Sequence, residues 1–157
     1  MILYFAYGSN MDPARLFDDR MAKDGVAWGR RLAARLEGWR LAFDKPWAKY
    51  DGAAVANIRP DPAGTVHGTL NELGPRGLDV LDRYEGVATG HYRRLSAAVL
   101  APAPVLAVTY IAEAPPVAGL KPHSSYLAHL LAGRDLLPRA YWENLRATPT
   151  ADKTPAL

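Results

Sequence analysis

Apolar and polar positions change their period several times along the chain, and each change marks an element. Residues 2–7, with Ile2, Leu3, Phe5 and Tyr7 apolar on both faces, predict a central buried strand. The run then breaks into Gly8-Ser9-Asn10, a turn signal. A short helix is predicted over 13–20, with Asn10 or Asp12 as its cap and Leu16 and Phe17 apolar. Two β segments, 31–36 and 39–43, flank Glu37-Gly38; in the second, Trp39, Leu41 and Phe43 alternate with Arg40 and Ala42. After a polar and aromatic loop at 44–52, a strand over 53–58 ends in the turn signal 60–64. Another strand covers 66–73, and its interior Gly68 marks a bend or a close backbone approach. A helix starts at Gly74-Pro75, presents Leu78, Leu81 and Tyr84 or Glu85 on one face, and stops at Gly86. Strands over 97–100 and 105–111 follow, joined through Pro102 and Pro104, and then a loop reaching Pro122. Helices are predicted over 123–131 and from Leu137-Pro138 onward, the last with Tyr141, Trp142 and Leu145 apolar.

Strands that mostly follow one another, with helices inserted between them, make this an α+β chain rather than a series of βαβ units. The expected architecture is a small mixed, largely antiparallel β-barrel or sheet with peripheral helices. One domain is expected over 1–147, with a flexible C-terminal tail at 148–157 rich in Pro, Thr and charge. The 157 residues are nearly half hydrophobic, enough to bury a core without a metal or disulfides. There is no cysteine, which excludes a disulfide framework, a zinc–thiolate site and a thiol nucleophile, and fits a reducing cytoplasm. No signal peptide and no membrane span are expected. The net charge of +3 comes largely from scattered arginines, which read as a solvated face rather than a nucleic-acid surface.

Candidate chemistry concentrates in two places. A strand, a small-residue turn and a helix start make a recurring anion seat, which points to a ligand carboxylate or phosphate at Gly8-Ser9-Asn10. The plainer reading is an ordinary turn. Ser9 is not read as a nucleophile, because its surroundings lack the second glycine of a Gly-x-Ser-x-Gly elbow. Glu85 stands at the end of a helix, where the dipole disfavours a negative charge. Turned toward the core, it would hold its proton more tightly and suit acid/base work near neutrality; turned outward, it is a surface glutamate. Asp79 and Asp82 read as solvent-facing. Tyr7 and Tyr92 are the tyrosines expected in a pocket, each offering an apolar wall and one donor. His67, His91, His123 and His129 show no metal-ligand spacing.

Taken together, Tyr4-Phe5-Ala6-Tyr7-Gly8-Ser9-Asn10-Met11, Leu81-Asp82-Arg83-Tyr84-Glu85-Gly86 and Gly90-His91-Tyr92 resemble the γ-glutamylcyclotransferase (AIG2-like) family. Gly52–Ile58, Val66–Leu70 and Gly133 with Leu137-Pro138 and Tyr141 extend the resemblance through most of 1–147. It implies a small barrel and a reaction in which a substrate's α-amine attacks its own γ-glutamyl carbonyl. The products are 5-oxoproline and a released amine or amino acid, formed without cofactor or metal. It implies Glu85 as the acid/base, Tyr7, Gly8, Ser9 and Asn10 at the glutamyl end, and Tyr92 as a further substrate-binding residue. The partner implied is a small γ-glutamyl molecule, with no nucleic acid and no membrane. Two other readings remain: removal of a γ-glutamyl protecting group in a biosynthetic pathway, and a non-catalytic small-molecule-binding protein on the same fold. The loop 112–123 matches nothing in the family pattern, so the leaving group is open.

Overall fold

The computed structural model describes residues 1–152. Five strands close into a ring in the order β1 (Ile2–Ala6), β5 (Pro104–Ala112), β4 (Tyr92–Leu100), β2 (Trp28–Pro46) and β3 (Ala53–Leu73), and β3 pairs back to β1. Within the ring only the β1–β5 seam is parallel, so the barrel is mixed and largely antiparallel, as expected. A two-residue strand, β6 (Lys121–Pro122), lies parallel to the start of β3, inside a segment expected to be all loop. Helices α1 (Gly77–Tyr84), α2 (Ser124–Leu131) and α3 (Arg139–Arg146) sit around the ring, with a π-helical segment at Ala14–Met21. Phe5, Leu16, Met21, Ile58, Leu73, Leu81 and Leu130 are fully buried and tie strands and helices into one core.

The segments on either side of Glu37-Gly38 form one strand, not two, and the same holds across 60–64. The two turn signals lie opposite each other in a single long hairpin. Pairing runs to Glu37↔Thr65 and resumes at Trp39↔Pro60, so residues 61–64 bulge out beside Gly38. Asp61 Oδ1 accepts from Ala63 N at 3.0 Å inside that bulge. The residues are therefore turn formers, but they bend a hairpin instead of ending it. Gly68 faces the β1 backbone so closely that a Cβ would strike Ala6 O and come within 2.8 Å of the Phe5 ring.

The β1–β5 seam has one recorded backbone pair, Tyr4↔Val108. Side chains supplement it. Thr109 Oγ1 donates to Phe5 O at 2.8 Å, and Tyr7 Oη donates to Tyr110 O at 2.6 Å. The segment expected as a tail is described only as far as Asp152, and residues 153–157 lie outside the described residues. Up to that point it folds back: Ala151 N donates to Pro122 O at 2.9 Å, and Ser124 N donates to Asp152 Oδ1 at 2.9 Å.

Candidate active site

Where β1 ends, the chain turns through Ser9–Met11 in a single 3₁₀ turn. Its two hydrogen bonds use the amides of Met11 and Asp12, leaving the Ser9 and Asn10 amides outside the turn's own ladder. Asp12 Oδ1 then accepts from Ala14 N at 3.1 Å and starts the next helix. That helix is wide, and residues five apart come onto one side of it. Leu16 and Met21 accordingly both enter the core, and Arg15 and Arg20 both reach the pocket.

The pocket is a cavity of about 320 Å³. Tyr7, Gly8, Ser9, Asn10, Glu85 and Tyr92, separated by up to 85 positions in the sequence, all line it. Glu85 follows the last turn of α1, and Gly86 ends that helix in the left-handed region at φ 64°, where a Cβ would also meet the His91 ring at 2.7 Å. Asp82 anchors the same helix. It accepts from Tyr110 Oη at 2.6 Å and from Arg94 Nε at 2.9 Å, so the solvent-facing role expected for it is corrected: it ties α1 to β4 and β5.

The Glu85 side chain is 18% exposed and lies 4.0 Å from Arg20 Nη1. Burial raises its pKa above the usual glutamate value, against the pull of Arg20, Arg15 and Lys45. Asn10 Nδ2 sits 3.5 Å from Glu85 Oε1 and donates to Tyr4 Oη at 3.0 Å, while Asn10 Oδ1 accepts from Arg20 Nη1 at 2.7 Å. Asn10 thus holds the acid and its nearest cation in place. Tyr92 Oη donates to Ala56 O at 2.7 Å, and Ala56 N donates to Tyr126 Oη at 2.9 Å. The donors of Tyr7 and Tyr92 are therefore engaged with backbone, and these rings offer the pocket their faces and oxygen lone pairs.

Arg15, Arg20 and Lys45 also line the cavity, and Glu85 is its one acidic side chain among the described residues. Arg15 Nη1 donates to His129 Nε2 at 2.9 Å, which leaves His129 Nδ1–H to donate to Asp12 Oδ2 at 2.8 Å. Arg15 and Arg20 were not distinguishable in the sequence from the solvated arginines, since a 3.6-residue period puts them on different faces; Lys45 fell in the stretch expected as a loop. Among the described residues no cluster of His, Cys, Asp and Glu is placed to hold a metal, and no helix is long and apolar enough to cross a membrane.

Fold and pocket together place the chain among small closed mixed barrels, here with a cavity that sets one partly buried carboxyl among several cations. The AIG2-like family model matches residues 65–145, and the chain belongs to that family. Bovine γ-glutamylcyclotransferase is 32% identical over 93 residues, which cover 57% of this chain and 47% of that protein, so the match spans about half the length of this curated relative. A solved structure described as a γ-glutamyl cyclotransferase superposes with a TM-score of 0.82 at 24% identity, over 99% of this chain and 92% of that one. An uncharacterized human protein superposes equally well, at 26% identity and the same coverage. YkqA from Bacillus subtilis reaches 0.79 at 26% identity, over 96% of this chain and 56% of its own.

Proposed function

We propose that this chain is a γ-glutamylcyclotransferase, converting a γ-glutamyl compound into 5-oxoproline and a free amine or amino acid. The observation that carries the reading is Glu85: a carboxyl with a raised pKa, in the wall of a cationic cavity, beside the Gly8–Asn10 turn. The names of the bovine relative and of the superposed structure support it.

Nucleophile and electrophile belong to one substrate molecule. The pocket's main task is to fold the glutamyl chain until its α-nitrogen reaches the γ-carbonyl carbon, and such closures reach effective molarities of about 10⁵–10⁸ M. The turn amides and the Arg15 and Arg20 guanidinium groups receive the α-carboxylate. An α-amine with a pKa near 8 must lose a proton to attack, and ionised Glu85 takes it. The new C–N bond closes the five-membered lactam, a second proton leaves the ring nitrogen, and the C–N bond to the leaving group breaks. Glu85 returns protons to the departing nitrogen, so two leave one nitrogen and two arrive at the other. No cofactor takes part. The site residues Tyr7, Gly8, Ser9, Asn10 and Tyr92 bind and shape the substrate, while Ser9 forms no covalent bond.

The test is a panel of γ-glutamyl amino acids, γ-glutamyl amines, ε-(γ-glutamyl)lysine and glutathione, scored for 5-oxoproline. At least one is expected to turn over, and Glu85→Gln is expected to lower kcat by about 10²–10⁴-fold. Binding without product across the whole panel would make the chain a binding protein. A folded Glu85→Gln variant with wild-type turnover would remove Glu85 from the chemistry.

A further inference from the structure

The glutamyl half of the substrate has its partners at the turn and Glu85, but another side of the same cavity, formed where β2 ends, is built for something else. Lys45 lines it. Its ammonium is in no carboxylate ion pair within 4.0 Å among the described residues. It lies 3.4 Å from His91 Nδ1 and 5.1 Å above the Tyr92 ring. Burial lowers its pKa, against the pull of the more distant Glu85. Two residues on, Trp47 enters the wall. Its ring packs edge-on to Tyr50 at 5.1 Å and tilts against Tyr126 at 5.8 Å, and His123 stacks on Tyr50 at 4.2 Å. Four rings thus brace one another beside an unpaired cation, and Pro46 and Val55 extend the apolar surface.

We propose that this side is the leaving-group subsite, with Lys45 and Trp47 as its specificity-determining residues and γ-glutamyl derivatives of aromatic amino acids as its substrate class. The inference rests on the cyclotransferase reading. Lys45 pairs with the carboxylate on the carbon next to the scissile nitrogen, and Trp47 packs the flat side chain on that carbon. The charges match. A γ-glutamyl amino acid brings two carboxylates and one ammonium, which meet the Arg15–Arg20 pair, Lys45 and Glu85. A γ-glutamyl amine brings a single carboxylate and leaves Lys45 with no carboxylate closer than the distant Glu85.

The decisive comparison uses γ-glutamylphenylalanine and γ-glutamylphenethylamine, identical except for that carboxylate, with γ-glutamylalanine as the probe of the aromatic wall. Wild type is expected to show a kcat/KM about ten-fold or more in favour of γ-glutamylphenylalanine over the phenethylamine derivative. Lys45→Met brings the ratio to about one, and Lys45→Arg preserves it. Because both compounds meet the same Glu85, any effect of Lys45 on that acid cancels in the ratio. Trp47→Ala removes the preference for phenylalanine over alanine. Equal kcat/KM for the matched pair in wild type, or an undiminished ratio in Lys45→Met, would overturn the proposal. Calorimetry in a Glu85→Gln background separates the two readings. Carboxylate-dependent binding that is lost in Lys45→Met, with no 5-oxoproline formed by wild type, keeps the subsite and overturns the reaction. Turnover without discrimination keeps the reaction and overturns the subsite, and neither binding nor turnover overturns both.

Discussion

The pKa of Glu85 is raised despite the field of three neighbouring cations, because the loss of water around its carboxyl outweighs their attraction. That imbalance has a stability signature. A carboxyl whose folded pKa is raised binds more protons in the native state than in the unfolded chain. Its contribution is intact below about pH 4.5 and is lost as pH rises through the folded pKa. Glu85→Gln cannot ionise, so its melting temperature is expected to exceed that of wild type at pH 7–8, with the gap closing toward pH 4.5. Wild type melting higher at pH 8 would mean that Arg20, Arg15 and Lys45 outweigh burial. The helix-end position marked Glu85 as an unusual carboxylate but left an inward or an outward side chain open; the fold turns it into the cavity wall. Arg15 and Arg20 were not legible in the sequence, because only the wide helix brings residues five apart together. Asp82 was misread for a different reason. Its partner Tyr110 lies 28 positions away, and no local pattern records that contact.

At the level of elements, the strands and helices were largely legible as types and in order, since buried strands and amphipathic helices carry strong periodic signals. The long hairpin was legible only as fragments. Glu37-Gly38 and 61–64 are turn formers wherever they occur, and only pairing between β2 and β3 decides that they make a bulge. Gly68 was read as a bend or a close backbone approach, and the structure shows the second, which yields a sharp expectation. Gly68→Ala would drive a methyl into the β1 backbone and the Phe5 ring, neither of which is the free end of a flexible side chain. The expected cost is about 2 kcal/mol or more, read as a fall in the urea midpoint at unchanged slope. Loss of less than about 0.5 kcal/mol would show that β1 can shift away. Because β1 runs directly into Gly8–Asn10, a shifted strand would also weaken ligand binding.

At the scale of the whole molecule, the C-terminal end of the described chain is tied back to the start of α2. Asp152 receives hydrogen bonds from Ser124 N and Ser124 Oγ at the start of α2, and these pull its pKa down to about 2 from an ordinary 3.8. A depressed carboxyl stabilises the fold above pH 3.8, and the effect disappears as pH falls toward 2. Asp152→Asn is therefore expected to melt below wild type at pH 7 and to match it near pH 2. Equal melting temperatures at pH 7 would mean that the Asp152 charge contributes nothing measurable to the fold. The ring itself has a consequence during synthesis. β1 leaves the ribosome before every strand it pairs with, and its neighbours β3 and β5 end only at Leu73 and Ala112. The first strand gains an antiparallel partner over five positions once β3 is made, but its parallel seam closes only after β5 follows. The turn that faces Glu85 is carried on that strand, so the nascent chain has no assembled pocket until the barrel shuts, and ligand binding by stalled chains of increasing length would time that closure.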